Sequence, residues 1–173
     1  ACAKALDEHL ALAYARDSGL ETVILRFFNT TGPRQSGRYG MVLPSFVIAA
    51  LKGEPIMVHG AGTQSRSFGH VYDVVEAVTR LAAHPGAVGE IFNIGNDEEV
   101  TILDLAERIK ARTNSRSEIR IVPYADIYPA GFEDMQRRRP SVEKLLRVTG
   151  FRPRLSLDRI IDDVIAEKRQ LIA

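Results

Sequence analysis

The run "ETVILRFF" (residues 21–28) constrains the fold most. It is short, rich in β-branched and aromatic side chains and nearly all apolar, which predicts a buried strand. It ends in "NTTGPRQSGRYG" (residues 29–40), a long loop of Gly, Pro, Asn and Ser. A long loop at the end of a buried strand in an α/β protein is where ligands bind. In front of the strand, "ACAKALDEHLALAYAR" places Ala3, Leu6, Leu10, Ala13 and Tyr14 on one helical face. Gly19 suits the end of that helix. No Ser, Thr, Asp or Asn precedes Ala1 to cap it, so either the helix end is frayed or an upstream segment has been removed.

Beyond the loop the two periodicities alternate. "MVLPSFVIAALKG" predicts a helix with Pro44 near its first turn. "EPIMVHG" and "SRSFGHVY" predict strands, and "DVVEAVTRLAAH" a helix with Val74, Val75, Val78 and Leu81 on one face. "GEIFNIG" reads as a strand closed by Gly95, and "TILDLAERIKART" as an amphipathic helix opened by a T-x-x-D capping box. "EIRIVPY" is a strand and "ADIYPAGFEDMQRRRP" a second long loop. "SVEKLLRVTG" and "SLDRIIDDVIAEKRQ" close the chain as two helices, each capped by serine. The class is mixed α/β, with no internal repeat and no low-complexity linker.

Composition narrows the function. A chain of 173 residues, 45% hydrophobic and 26% charged, matches one ordinary globular domain. A net charge of +1 argues against a nucleic-acid partner. The single Cys2 cannot form an internal disulfide, which fits a reducing compartment. No apolar run nears the roughly 20 residues of a membrane span, and no signal peptide is visible, so a cytoplasmic protein is expected. His9, His59, His70 and His84 stand at no metal-ligand spacing, and no metal site is expected. "HGAGTQS" holds a lone G-x-G, which reads as a turn between strands rather than a dinucleotide fingerprint.

The polar residues left on loops are Asn29, Arg34, Arg66 and the Arg137–Arg138–Arg139 run. Separated arginines plus an asparagine suit a pyrophosphate, since guanidinium groups make paired hydrogen bonds to phosphate oxygens. Any single arginine can equally solvate a surface, and of "QRRRP" at most one member turns inward.

Several of these segments together resemble one family in order. "ACAK" supplies the spacers and lysine of a Tyr-x-x-x-Lys motif whose tyrosine would sit just before Ala1. "RFFNTTGPR", "VLPSFVIAALKGEPIMVHGAGTQSRSF", "EIFNIGNDEEVTILDLAERI" and "RRRPSVEKLLRVTGFRPRLSLDRII" are similar to successive later segments. The chain resembles the C-terminal half of a Rossmann-type extended short-chain dehydrogenase/reductase, the NAD-dependent nucleotide-sugar epimerase/dehydratase family. Ser141 replaces the usual aspartate and Phe151 the usual tryptophan.

The resemblance implies that residues 1–40 are a remnant of the NAD-binding domain. Residues 41–173 are then mainly the small mixed α/β substrate lobe, with segments returning to the first. It implies NAD as cofactor, with Lys4 as catalytic and cofactor-binding residue and, of the cofactor-side pair Phe27 and Phe28, one ring near the nicotinamide and the other in the core. It implies a UDP-sugar substrate held by Asn29, Val42, Leu43, Met57, His59, Arg66 and Arg138. The lysine's charge would stabilise the tyrosinate that removes a sugar proton. The expected activity is that of a UDP-glucose 4-epimerase-like enzyme, dimeric through its first helix, with the 173-residue piece inactive alone. A UDP-glucuronate decarboxylase or a 4,6-dehydratase is the alternative, and a non-catalytic sugar-nucleotide-binding protein the rival from another class.

Overall fold

The first helix, α1, spans Cys2–Ser18 and ends at Gly19 with φ +67°. The computed structural model describes residues 2–35 and 41–172, so part of the first long loop lies outside the described residues. Strands β1 (Ile24–Phe27) and β2 (Thr30–Thr31) follow, then helix α2 (Val42–Lys52) and strands β3 (Ile56–His59), β4 (Ser65–Ser67) and β5 (Gly69–His70). Helix α3 (Val71–Ala82), strands β6 (Ile91–Ile94) and β7 (Glu99–Thr101), helix α4 (Ile102–Thr113) and strand β8 (Ile119–Val122) come next. A short strand β9 (Arg137–Arg138) and helices α5 (Glu143–Thr149) and α6 (Leu157–Ile172) complete the order.

The pairing is mostly parallel, as helical crossovers require. Strand β1 pairs with β6, β2 with β5 and β3 with β8, all parallel. Strand β4 lies between antiparallel β7 and parallel β9. Two apolar clusters hold this together. One joins Leu43 and Val47 of α2, Val58 of β3, Leu105 and Ile109 of α4, and Ile161 and Val164 of α6. The other joins Val74 and Leu81 of α3, Phe92 and Ile94 of β6, and Leu145 of α5, with Val23 and Leu25 at its margin. The mixed α/β architecture with parallel strands is the expected Rossmann-type one.

Several local expectations change. Strand β1 is half-buried rather than buried, because among the described residues it borders β6 alone and sends Arg26 outward to Glu8 of α1 (2.7 and 2.6 Å). Helix α1 turns Glu8, Ala11, Leu12 and Ala15 toward the chain, while Leu6, Leu10 and Tyr14 stay 59%, 50% and 58% exposed. "SRSFGHVY" is not one strand: His70 ends β5 and its Nδ1 accepts the Tyr72 N–H (3.0 Å), capping α3. Nδ1 as acceptor places the ring proton on Nε2, which donates to Asp163 (3.1 Å). On α3, Val74, Ala77 and Leu81 are buried but Val75 faces out.

Thr101 caps α4 as expected, its Oγ1 accepting from the Asp104 N–H (3.0 Å). Ser156 caps α6 through the Arg159 N–H (3.3 Å). Ser141 caps nothing: α5 starts after Val142, which offers no side-chain oxygen. The strand read from "EIRIVPY" stops at Val122, a 3-10 turn at Tyr124–Asp126 leads into the second long loop, and β9 lies within that loop.

Candidate functional site

A cleft of about 560 Å³ opens between the start of α2, the ends of β3 and β4, and the loop after β8. That volume is within the range of ligand sites. The amphipathic register of α2, stopped at Gly53 (φ +72°), sets Val42 and Leu43 in one wall. The alternation of β3 buries Ile56 and Val58 and sends Met57 and His59 to the cleft. Thr30, Thr31 and Gln35, after β1, form the far side.

Arg66 projects from β4 with a side chain only 13% exposed. Its Nη1 donates to the carbonyls of Ser65 and Met135 (2.7 Å each) and its Nη2 to Asp134 Oδ1 (2.7 Å). Tyr124 donates its hydroxyl to the other oxygen of Asp134 (2.7 Å) and receives Gln64 Nε2 (3.1 Å), which also donates to the His59 carbonyl (2.7 Å). Burial first, and then the hydroxyl's bond to Asp134, push the Tyr124 phenol up to about 12. Gly60 makes this packing possible: φ is +73°, and a Cβ there would lie 2.5 Å from the Tyr124 ring.

This raised pKa has a measurable consequence. A proton held more tightly in the fold contributes stability below the phenol's ordinary value of 10.0, and loses it as pH climbs toward about 12. Urea unfolding across that window should show stability falling with pH, and Tyr124→Phe should flatten the decline. An unchanged slope in the variant would place the titration elsewhere.

Aromatic rings finish the cleft. Tyr128 and Phe132 stack with centroids 4.0 Å apart, and the Tyr128 hydroxyl lies 3.4 Å from His59 Nδ1. Of the residues singled out from sequence, Asn29, Val42, Leu43, Met57, His59 and Arg66 meet in this cleft. Asn29, at φ +31°, spends its amide N–H on the Ser67 carbonyl (2.8 Å).

Arg138 is not in the wall. It pairs in register with Arg66 across β4 and β9, and its guanidinium stands 5.4 Å from the Phe28 ring centre. Arg137 instead binds Glu99, which Arg137 and Ser65 hold down at about 2, and Arg139 approaches Asp97 (3.6 Å).

Lys4, Phe27 and Phe28 also lie apart from the cleft. Lys4 is 87% exposed and paired with Asp7 (2.9 Å), and Phe27 is half-exposed at the end of β1. Phe28 packs on Gly95, where a Cβ would sit 2.9 Å from it. An exposed ammonium paired with a surface carboxylate and the half-exposed ring of Phe27 suit the nicotinamide end of a dinucleotide, but not its pyrophosphate. Among the described residues, no His, Cys, Asp and Glu converge as a metal site, and no helix is long and apolar enough to cross a membrane.

Sequence reasoning missed Gln35, Tyr124, Tyr128, Phe132 and Asp134. The four-residue spacing of the three aromatics within the second loop was the available signal.

Comparison with known proteins adds an independent line. The model of the NAD dependent epimerase/dehydratase family matches residues 1–95. The chain is 41% identical over 172 residues to a UDP-N-acetyl-alpha-D-glucosaminuronate decarboxylase from Bacillus cytotoxicus, covering 99% of this chain and 53% of that protein. It is 35% identical to UDP-glucuronic acid decarboxylase 1 of Danio rerio, covering 94% of this chain and 37% of that protein. A solved UDP-glucose 4-epimerase from Thermotoga maritima, with UDP-glucose, superposes with a TM-score of 0.89 at 28% identity, covering 99% of this chain and 53% of that one. The chain thus spans about half, or less, of the length of the relatives it matches. These relatives include decarboxylases as well as an epimerase, so they do not single out the epimerase expectation.

Proposed function

This chain belongs to the NAD dependent epimerase/dehydratase family, and on that premise we propose that its cleft holds the uridine diphosphate of a UDP-hexuronic acid that the whole protein decarboxylates. The observation that carries the binding half is Arg66, a largely buried guanidinium set between an apolar wall and an aromatic loop. The uracil fits between Val42 and Leu43 on one side and His59 and Tyr128 on the other. The diphosphate takes the place of the Asp134 carboxylate on Arg66, because a phosphate oxygen satisfies the same N–H groups and carries more charge. Arg138, on the adjacent strand, supplies a second positive charge, and Asn29 lies at the sugar side.

NAD, when bound, takes up and returns a hydride. Lys4 would exchange Asp7 for the ribose hydroxyls of the nicotinamide end, and Phe27 and Phe28 would cover its ring. In this assignment α1, β1, β6, α3 and α5 serve the cofactor side, and α2, β3, β8, α4 and α6 the substrate side.

The decarboxylase reading draws on the 41% identity to a UDP-hexuronate decarboxylase over nearly the whole chain. The second reading, 4-epimerisation, draws on the likeness to the epimerase solved with UDP-glucose. Incubating the full-length protein with NAD and, in separate reactions, UDP-glucuronate, its 2-acetamido analogue or UDP-glucose separates them. The expected result is release of CO2 and a sugar one carbon shorter. A 4-epimer with all carbons retained would overturn decarboxylation in favour of the second reading. UDP binding with neither product would leave a non-catalytic binding protein.

The exposed row Leu6, Leu10 and Tyr14 on α1 supports self-association as a dimer. Leu10→Glu should convert dimer to monomer in analytical ultracentrifugation while leaving the monomer's own free energy of unfolding within about 0.5 kcal/mol of the parent's. A dimer of unchanged affinity would remove α1 from the interface.

A further inference from the structure

We infer that Glu167 and Lys168, near the end of α6, are positioning residues for the UDP-sugar cleft, acting through the Arg34–Gln35 segment of its wall. Glu167 Oε1 accepts the Arg34 backbone N–H (2.7 Å), and Lys168 Nζ donates to the Gln35 carbonyl (2.8 Å). The two side chains also pair with each other (3.2 Å) and are only 18% and 7% exposed. Gln35 then reaches back to its own loop: its Nε2 donates to the Thr30 carbonyl (3.1 Å), and Thr31 Oγ1 donates to its Oε1 (2.5 Å). Thr30, Thr31 and Gln35 all line the cleft.

The backbone needs such a hold. Arg34 sits at φ +68°, a conformation that a side-chain-bearing residue leaves unless its surroundings fix it. A buried Lys–Glu pair is a poor source of net stability, because desolvation offsets most of the attraction. Its better-attested use is to select one conformation. Here the charges end on two backbone groups of a cleft wall, which no apolar pair could grip.

The inference rests on the cleft taking a UDP-sugar, so the test reads the tether and the ligand separately. Hydrogen exchange of the Arg34 amide is measured in the ligand-free full chain, and UDP affinity by calorimetry. The variants are Lys168→Met, Glu167→Leu with Lys168→Met, and Val164→Ala one turn earlier, whose side chain lies in the core instead. The double variant leaves no unpaired buried charge, so it spares the fold that Lys168→Met alone could disturb. Both Lys168 variants should weaken UDP binding about tenfold, one hydrogen bond to a charged group, and the double variant, which also loses the acceptor of the Arg34 N–H, should speed Arg34 exchange by at least about tenfold. Val164→Ala should lower stability and change neither. Wild-type exchange and affinity in the double variant would overturn this inference alone. A wild-type chain that does not bind UDP would overturn the cleft reading, and this inference with it.

Discussion

Arg66→Ala should weaken UDP-sugar binding by about 2–4 kcal/mol, the loss expected when one partner of a desolvated charged pair is removed. That is a fall of roughly 30- to 1,000-fold in affinity. The magnitude follows from burial, since a guanidinium with a side chain only 13% exposed works against little competing water. Removing it also strands Asp134, whose carboxylate it binds at 2.7 Å. Pairing Arg66→Ala with Asp134→Asn relieves that stranded charge, so stability should recover while affinity stays low.

Arg138→Ala should act in the same direction, and the Arg66 and Arg138 changes together should fall short of their sum because both serve one anionic group. Arg137 and Arg139 are the controls. Their side chains are 66% and 43% exposed and already face Glu99 and Asp97, so losing either should cost about 1 kcal/mol or less. Calorimetry with UDP decides the matter. Equal small losses for all four arginines, erased by added salt, would reduce them to a diffuse positive field.

The second large effect concerns the scaffold. Ile161 is fully buried on α6, within the cluster that seats α2 against α4. Ile161→Ala should lower the free energy of unfolding by about 2–5 kcal/mol, through lost transfer energy and the cavity left behind. Val75, comparably apolar in sequence but 56% exposed on α3, should change stability by less than about 0.5 kcal/mol when cut to alanine. Urea unfolding of the two variants reads the difference. A mild Ile161→Ala would mean that this core relaxes into the space.

The contrast between these two residues indicates what the sequence makes legible. Helix α4 could be placed from Thr101 and its apolar period because both signals are local, and strand β3 because its alternation fits its turns. Val75 could not be told from Val74, since a helical stripe gives the width of a buried face only roughly. On α1 Leu6, Leu10 and Tyr14 face outward, while Ala11, Leu12 and Ala15 face the fold. The pattern marks a face but not its partner.

The cleft follows the same division. Val42, Leu43, Met57, His59 and Arg66 lie on regular elements or directly at their ends, and the family resemblance picks them out in the sequence. Tyr124, Tyr128, Phe132 and Asp134 sit on an irregular loop, where the four-residue spacing of the rings is a much weaker sign of which side chains turn in than a helix or strand period. Glu167 and Lys168 are adjacent charged residues near the end of α6. Their burial arises from bonds to Arg34 and Gln35, each 133 residues away along the chain. No local window contains that information.

The most direct test of the central claim is a crystal structure of the full-length protein grown with UDP. The account predicts the uracil between Val42, Leu43, His59 and Tyr128, and the diphosphate on Arg66 with Asp134 displaced from its guanidinium. UDP bound outside this cleft, or bound within it while the Arg66–Asp134 pair stays intact, would contradict the account.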